Sequence, residues 1–253
     1  MTSKTINFFA LSICSVLFFG HQVSAASQSA KTLDQTGTVK VKQSDKTGVL
    51  DPEDPEEIVD PTDPGPSTVG PLRIDYVAPI DFGTVSLTPT NRTYNILANK
   101  IGNKFRGNFI QITDLRAKKS GWTLQVKQEQ QFQTTESEEL TGSVLSFDKG
   151  WANSQMSSID PVVKRDTLSI KNIGQVYDVA VATPDISGGT WSIIFGATST
   201  NDDGQPGTIK EEKTSTTHSD IRNSAVKLNV PDSTKVLNKQ YQTKIRWILS
   251  DAP

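Results

Sequence analysis

The chain has almost no thiol and almost no imidazole. Cys14 is its one cysteine, and His21 and His218 are its two histidines. A disulfide framework, a thiol nucleophile and a thiolate metal site are excluded once the first residues are removed. Zinc would need more His or Cys ligands than the chain holds. The chain also lacks a strong charge of either sign. Acids outnumber bases 28 to 26, so nothing suggests an electrostatic grip on nucleic acid or anionic lipid. Long apolar runs are missing too, apart from Ile6 to Gly20. That run falls short of the ~20 residues of a spanning helix. No segment shows a convincing amphipathic helix, although 131–140 and 150–160 have room for a helical turn or two.

The apolar run has a different reading. Lys4 precedes it, and the small residues Val23-Ser24-Ala25-Ala26 follow. This is the three-part layout of a secretory signal, with cleavage expected after Ala25. A lipoprotein reading would acylate Cys14, but Ile13 is bulky where a small residue is needed, and the apolar run continues past Cys14. Residues 1–25 are therefore expected to be removed. The processed chain is expected to be secreted and to have no transmembrane segment.

Residues 26–70 carry no hydrophobic period. Between 45 and 63 there are eight acids against one base, Lys46, and Asp-Pro occurs at 51–52, 54–55, 60–61 and 63–64. Each proline removes a backbone donor and pushes its predecessor towards extended geometry, while like charges repel. A disordered, solvated stalk is expected.

From residue 71 onward the pattern changes to period two. Strand candidates are Leu72 to Leu87, broken near Pro79, then Phe109 to Leu115, Trp122 to Gln130 and Ser143 to Phe147. Thr167 to Lys171, Gln175 to Ala182, Thr190 to Phe195, Val226 to Val230 and Tyr241 to Leu249 follow. Gly, Asn, Asp and Ser clusters separate them. Such spacing predicts one all-β domain over 71–253, an antiparallel β-sandwich, with an immunoglobulin-like arrangement as one form. About 180 residues are enough to bury a self-sufficient core.

Trp122-Thr123-Leu124 opens one strand and Trp247-Ile248-Leu249 lies on the last, with Tyr241 before it and Ala252-Pro253 after it. Two Trp-x-Leu motifs, the spaced tyrosine, Thr243, Ile245 and the terminal Ala-Pro resemble the WxL domain of Gram-positive cell-surface proteins, in its small single-domain type. Leu72 to Val77, followed by Asp81-Phe82-Gly83, resembles the opening of that domain. Arg246 stands where the family has threonine, and the alternation places it on the exposed face. The resemblance implies non-covalent attachment to the cell wall, with peptidoglycan as ligand and adhesion as an outcome. It also implies an alternative, a subunit of a surface complex held by a membrane-anchored WxL-interacting protein, with other WxL proteins as further partners. The chain's last residues carry no sortase signal or hydrophobic tail, which agrees with non-covalent retention.

Aromatic rings stack on sugar faces, so binding candidates are Trp122, Leu124, Tyr241, Ile245, Trp247 and Leu249. The same residues occupy apolar faces, and their first expected task is packing between sheets. Trp151 follows Lys149-Gly150 in an expected loop and is the candidate exposed aromatic. Catalysis has no constellation behind it. His218 lies in a polar stretch, and no Gly-x-Ser-x-Gly elbow accompanies it. Ser199 to Gly204 imitates a calcium loop, but Ser199 and Lys210 occupy the positions that need Asp and Glu. Residues 201–204 read as a turn. No cofactor and no enzyme activity are expected.

Overall fold

A computed structural model describes residues 38–39, 48–63, 65–118, 120–155, 159–214 and 218–251. The expected signal segment with Cys14, and the closing Ala252-Pro253, lie outside the described residues. The chain divides into two compact units, Met1–Val41 and Lys42–Pro253, and every strand belongs to the second.

The strands in order are β1 Val49–Leu50, β2 Ile58–Val59, β3 Leu72–Val77, β4 Thr93–Leu97, β5 Asn99–Ile101, β6 Lys104–Arg106, β7 Asn108–Asp114, β8 Trp122–Gln133 and β9 Val144–Phe147. They continue with β10 Gly150–Asn153, β11 Val162–Val163, β12 Leu168–Ile170, β13 Val176–Ala182, β14 Gly189–Phe195, β15 Ile209–Lys213, β16 Ser219–Asn229 and β17 Gln242–Asp251. All ladders between these strands are antiparallel. No helix occurs among the described residues, so the all-β expectation holds. The helical turns for which 131–140 and 150–160 have room are not formed among the described residues. Residues 150–153 are strand β10 instead, paired to β14.

Three sheets share one core. Their orders are β10-β14-β7-β3, β11-β13-β8-β17 and β12-β9-β16-β15, with β4 also pairing β16. Ile112, Trp122, Leu124, Val126, Leu145, Trp191, Ile193 and Val226 are fully buried between them. Period-two alternation accounts for this: on β8, Trp122, Leu124, Val126 and Gln128 point inward while Thr123, Gln125 and Lys127 point out.

Strand β7 breaks the one-face rule, because all seven of its residues are buried. Ile110 and Ile112 face the main core, while Phe109 joins a second cluster with Tyr76, Ala78, Ile101, Trp151, Ile194 and Ala197. Val49 and Val59 pack on that second cluster. The segment expected to be a solvated stalk therefore folds over the sheet between Gly48 and Val59. Gln111 fixes it, taking a hydrogen bond from Leu50 N at 2.7 Å and giving one to the Gly48 carbonyl at 3.0 Å.

Charge repulsion does not expel this strap, since its acids Asp51, Glu53 and Glu57 have partners. Asp51 is fully buried. Its carboxylate takes bonds from Arg106 Nε at 2.7 Å, Arg106 at 2.8 Å and Lys104 at 3.3 Å. Glu53 accepts from the Thr198 backbone N–H and its hydroxyl. Burial alone would push the Asp51 carboxyl up. The Arg106 bonds, the Glu53 N–H and Lys104 together hold it below the ordinary 3.8. Its folded value is depressed, so its contribution to stability is complete above the unfolded value and is lost as pH falls through the folded one. Asp51→Asn should cost about 3 kcal/mol in urea unfolding at neutral pH, because Arg106 keeps its charge and loses its partner. The same variant should show a weaker loss of stability on acidification below about pH 4 than the parent protein.

Candidate functional site

The two Trp-x-Leu motifs meet in one ladder. Strand β17 pairs β8 with Leu249 opposite Leu124, Trp247 opposite Val126 and Asp251 opposite Trp122. The motifs run antiparallel and put their large side chains on the same inner face. Trp122 and Leu124 are 0% exposed, and the Trp122 indole donates to the Ser187 carbonyl at 3.1 Å. Neither presents a surface to a ligand. Trp247 meets the Phe147 ring edge-on, with centroids 5.7 Å apart. Tyr241, Ile245, Trp247 and Leu249 are half-buried against the main core.

The expected exposed aromatic requires correction. Trp151 is only 5% exposed. Residue 150 begins a strand rather than a loop, the ring lies in the second cluster, and its indole donates to the Gly196 carbonyl at 3.0 Å. Arg246, by contrast, is exposed as the alternation predicts and pairs with Glu129 at 2.8 Å.

A groove of about 1120 Å³ opens beside the C-terminal motif. One wall is the run from Val77 to Val85 together with Leu87, Asp63 and Gly65. A second run of lining residues goes from Val236 to Thr243 and continues to Ile245 and Trp247. Phe132, Leu140, Tyr94 and Leu228 line it as well. Three of the four half-buried candidates, Tyr241, Ile245 and Trp247, therefore face open space, while Leu249 does not line it.

Buried polar side chains shape the walls. Arg222 is 3% exposed and donates to the carbonyls of Phe82 at 2.9 Å and Asn95 at 2.7 Å, with Asp220 Oδ2 at 2.9 Å balancing its charge. This fixes the Asp81-Phe82-Gly83 turn, where Gly83 has φ of 59° and its N–H donates to Asp81 Oδ1. On the other wall the Tyr241 hydroxyl accepts the Leu237 N–H at 2.9 Å. Lys239 reaches Glu136 and Glu138, and Arg92 donates to the carbonyls of Pro231 and Thr234. Burial pushes the Tyr94 phenol up, with Arg92 pulling the other way. Sequence reading missed Arg222 and Arg92. Both are isolated arginines in polar contexts, and only the third dimension brings carbonyls to them.

Other candidate chemistry finds little to work with. His218 is exposed, with Nε2 3.0 Å from Asp220 Oδ1. Asn201 Oδ1 accepts from the backbone N–H of Asp203 and Gln205, which closes the turn expected at 201–204. Among the described residues no group of three or more His, Cys, Asp or Glu could hold a metal ion, and no helix is long and apolar enough to cross a membrane.

The paired motifs have a counterpart in known proteins. One family model, the WxL domain, described as surface cell wall-binding, matches residues 26–253. The chain belongs to the WxL domain family. No curated protein and no solved structure matches it. Family membership places this WxL domain in association with the cell wall and the cell surface, as a binding domain rather than an enzymatic one.

The geometry separates a structural motif from an accessible one. Trp122→Ala should cost about 3–5 kcal/mol in chemical unfolding, the cost of emptying a fully packed aromatic site. Trp247→Ala, at a half-buried position, should cost clearly less in the same measurement.

Proposed function

We propose that the protein is a non-enzymatic, secreted cell-surface protein that attaches non-covalently to Gram-positive peptidoglycan. Residues 71–253 form the attachment domain, the strap at 48–59 is fastened to it, and residues 1–25 serve as the signal for export. The observation that carries the reading is the groove. In a family described as surface cell wall-binding, the second Trp-x-Leu strand lends Tyr241, Ile245 and Trp247 to an open cleft rather than to a closed core. A ring, an aliphatic floor and a rim of Asp81, Asn238, Lys239 and Gln240 suit an amphipathic ligand that carries acetyl, methyl and amide groups. The first motif supports that strand from the inside. Adhesion would follow from holding the protein at the surface.

A second reading has one observation behind it. Strand β17 lies at the edge of its sheet, a position open to pairing with another chain. The protein would then be a subunit retained by a membrane-anchored WxL-interacting protein, and it would co-purify with envelope proteins after complete wall digestion.

The direct test is co-sedimentation. Purified protein should pellet with insoluble Gram-positive peptidoglycan, and Tyr241→Ser should weaken that binding by roughly tenfold, the cost of one ring stacked on a ligand. Protein that stays in solution while a control wall-binding domain pellets would overturn direct wall attachment.

A further inference from the structure

We infer that the groove recognises the peptide stem of peptidoglycan rather than its sugar chain, by adding the stem as a strand to the free edge of β17. The inference rests on the wall-attachment reading and names the part of the polymer that is held.

The edge itself is the first observation. Strand β17 pairs only with β8 among the described residues, and its sheet ends there. Folded proteins usually blunt such an edge with a proline, a bulge, brevity or charged side chains; β17 does carry Lys244 and Arg246, but both are paired with Glu129 of β8. This strand spans ten residues, Gln242–Asp251, and contains no proline. Its ladder does contain two irregularities, but both extra residues fall on β8. Between the pairs Gln242↔Gln133 and Lys244↔Gln130 the β17 side advances two residues and the β8 side three. Between Lys244↔Gln130 and Ile245↔Gln128 the advances are one and two. The partner absorbs the bulges, and β17 keeps a regular row of amides.

The second observation is what lies beside that row. Thr243, Ile245 and Trp247 of β17 line the groove at every second position, and Gln242 at the strand's start and Tyr241 just before it line it too. A chain laid along the edge would place every second side chain in the cleft. Edge amides need partner amides at the 3.3–3.4 Å rise of a strand. The L-Lys-D-Ala-D-Ala end of a stem offers consecutive amides. A pyranose chain offers hydroxyls at another spacing. Thr243 is committed to its own ladder through the Gln130 carbonyl at 2.7 Å, so it does not compete with an incoming strand.

The third observation is charge. The stem ends in a carboxylate and carries a side-chain ammonium. Among the groove's lining residues Asp63 and Asp81 are exposed acids, while Lys239 is already paired with Glu136 and Glu138. An acidic lining suits the side-chain ammonium of the stem. The D-Ala methyl groups are small enough to enter a cleft lined by Leu140 and Leu228.

The experiment measures hydrogen exchange of residues 242–251 in the full chain at millimolar probe. The probes are α-N-acetyl-L-Lys-D-Ala-D-Ala, peptide-stripped glycan chains, and an acetylated all-L Thr-Val-Thr-Val-Thr peptide. Peptidoglycan pelleting is run in parallel with each probe as competitor. The expected result is slowed exchange in β17 and loss of pelleting with the tripeptide alone. Asp81→Asn, which keeps the acceptor for the Gly83 N–H, should weaken tripeptide binding roughly tenfold, the loss of one charge-assisted bond. Competition by stripped glycan with no effect of the tripeptide would overturn the inference and leave wall attachment standing. Protection by the all-L peptide alone would overturn it in favour of a protein strand as occupant. Absence of pelleting altogether would overturn the wall-attachment reading itself.

Discussion

The antiparallel pairing of β8 with β17 is the constraint on which the rest depends. It brings together two Trp-x-Leu motifs that are far apart in the chain and sets Leu124 against Leu249 on the inner face. A slip of one residue would turn every inner side chain outward. Trp122, at 0% exposure with its indole bonded to Ser187, cannot make that turn without leaving a large void and an unpaired donor. Register is therefore secured by the first motif, and the second inherits a fixed position. That position puts Tyr241, Ile245 and Trp247 beside open space while the structural load stays on Trp122. Two copies of one short motif carry two different duties because one strand is central in its sheet and the other is at its edge.

The same economy appears on the opposite side of the domain. The sheet β10-β14-β7-β3 has apolar side chains on both faces, and on one of them only the small β1-β2 and β5-β6 sheets contribute to the cluster. The strap from Gly48 to Val59 covers it, with aliphatic contacts from Val49 and Val59 and an ion pair at the buried Asp51. Desolvating a carboxylate is costly, and the bidentate guanidinium of Arg106, with Lys104 and a backbone N–H, offsets that cost. An acidic, proline-rich run can be surface-bound when the folded domain supplies bases at the right places.

The sequence made some of this legible and concealed the rest for identifiable reasons. Period-two alternation disclosed β8, β13 and β17 and placed Trp122, Leu124 and Arg246 on their proper faces, because alternation is a local property of a half-buried strand. The short strands β5, β6 and β10 carry too few residues to show a period. Trp151 sat behind Lys149-Gly150, a turn signal that was real, with Lys149 at φ 53°. The strand that follows it was too short to announce itself. The strap was hidden because composition speaks for the unfolded chain and says nothing of a distant Arg106. Arg222 and the groove wall it fixes were invisible for the same reason: their partners are backbone carbonyls, which leave no trace in residue type.

The β8–β17 ladder also bears on how the chain reaches this structure. Gln128 and Thr243, joined side chain to side chain, are 115 residues apart in the chain. The central strand of the sheet is thus made long before its neighbour exists, and most of the domain must be present before the register can lock. Non-local strand pairing of this kind belongs to slow-folding topologies, because loop closure precedes the contacts that reward it. The β17 pairing is therefore a late step, which makes that strand the clasp of the domain as well as its open edge.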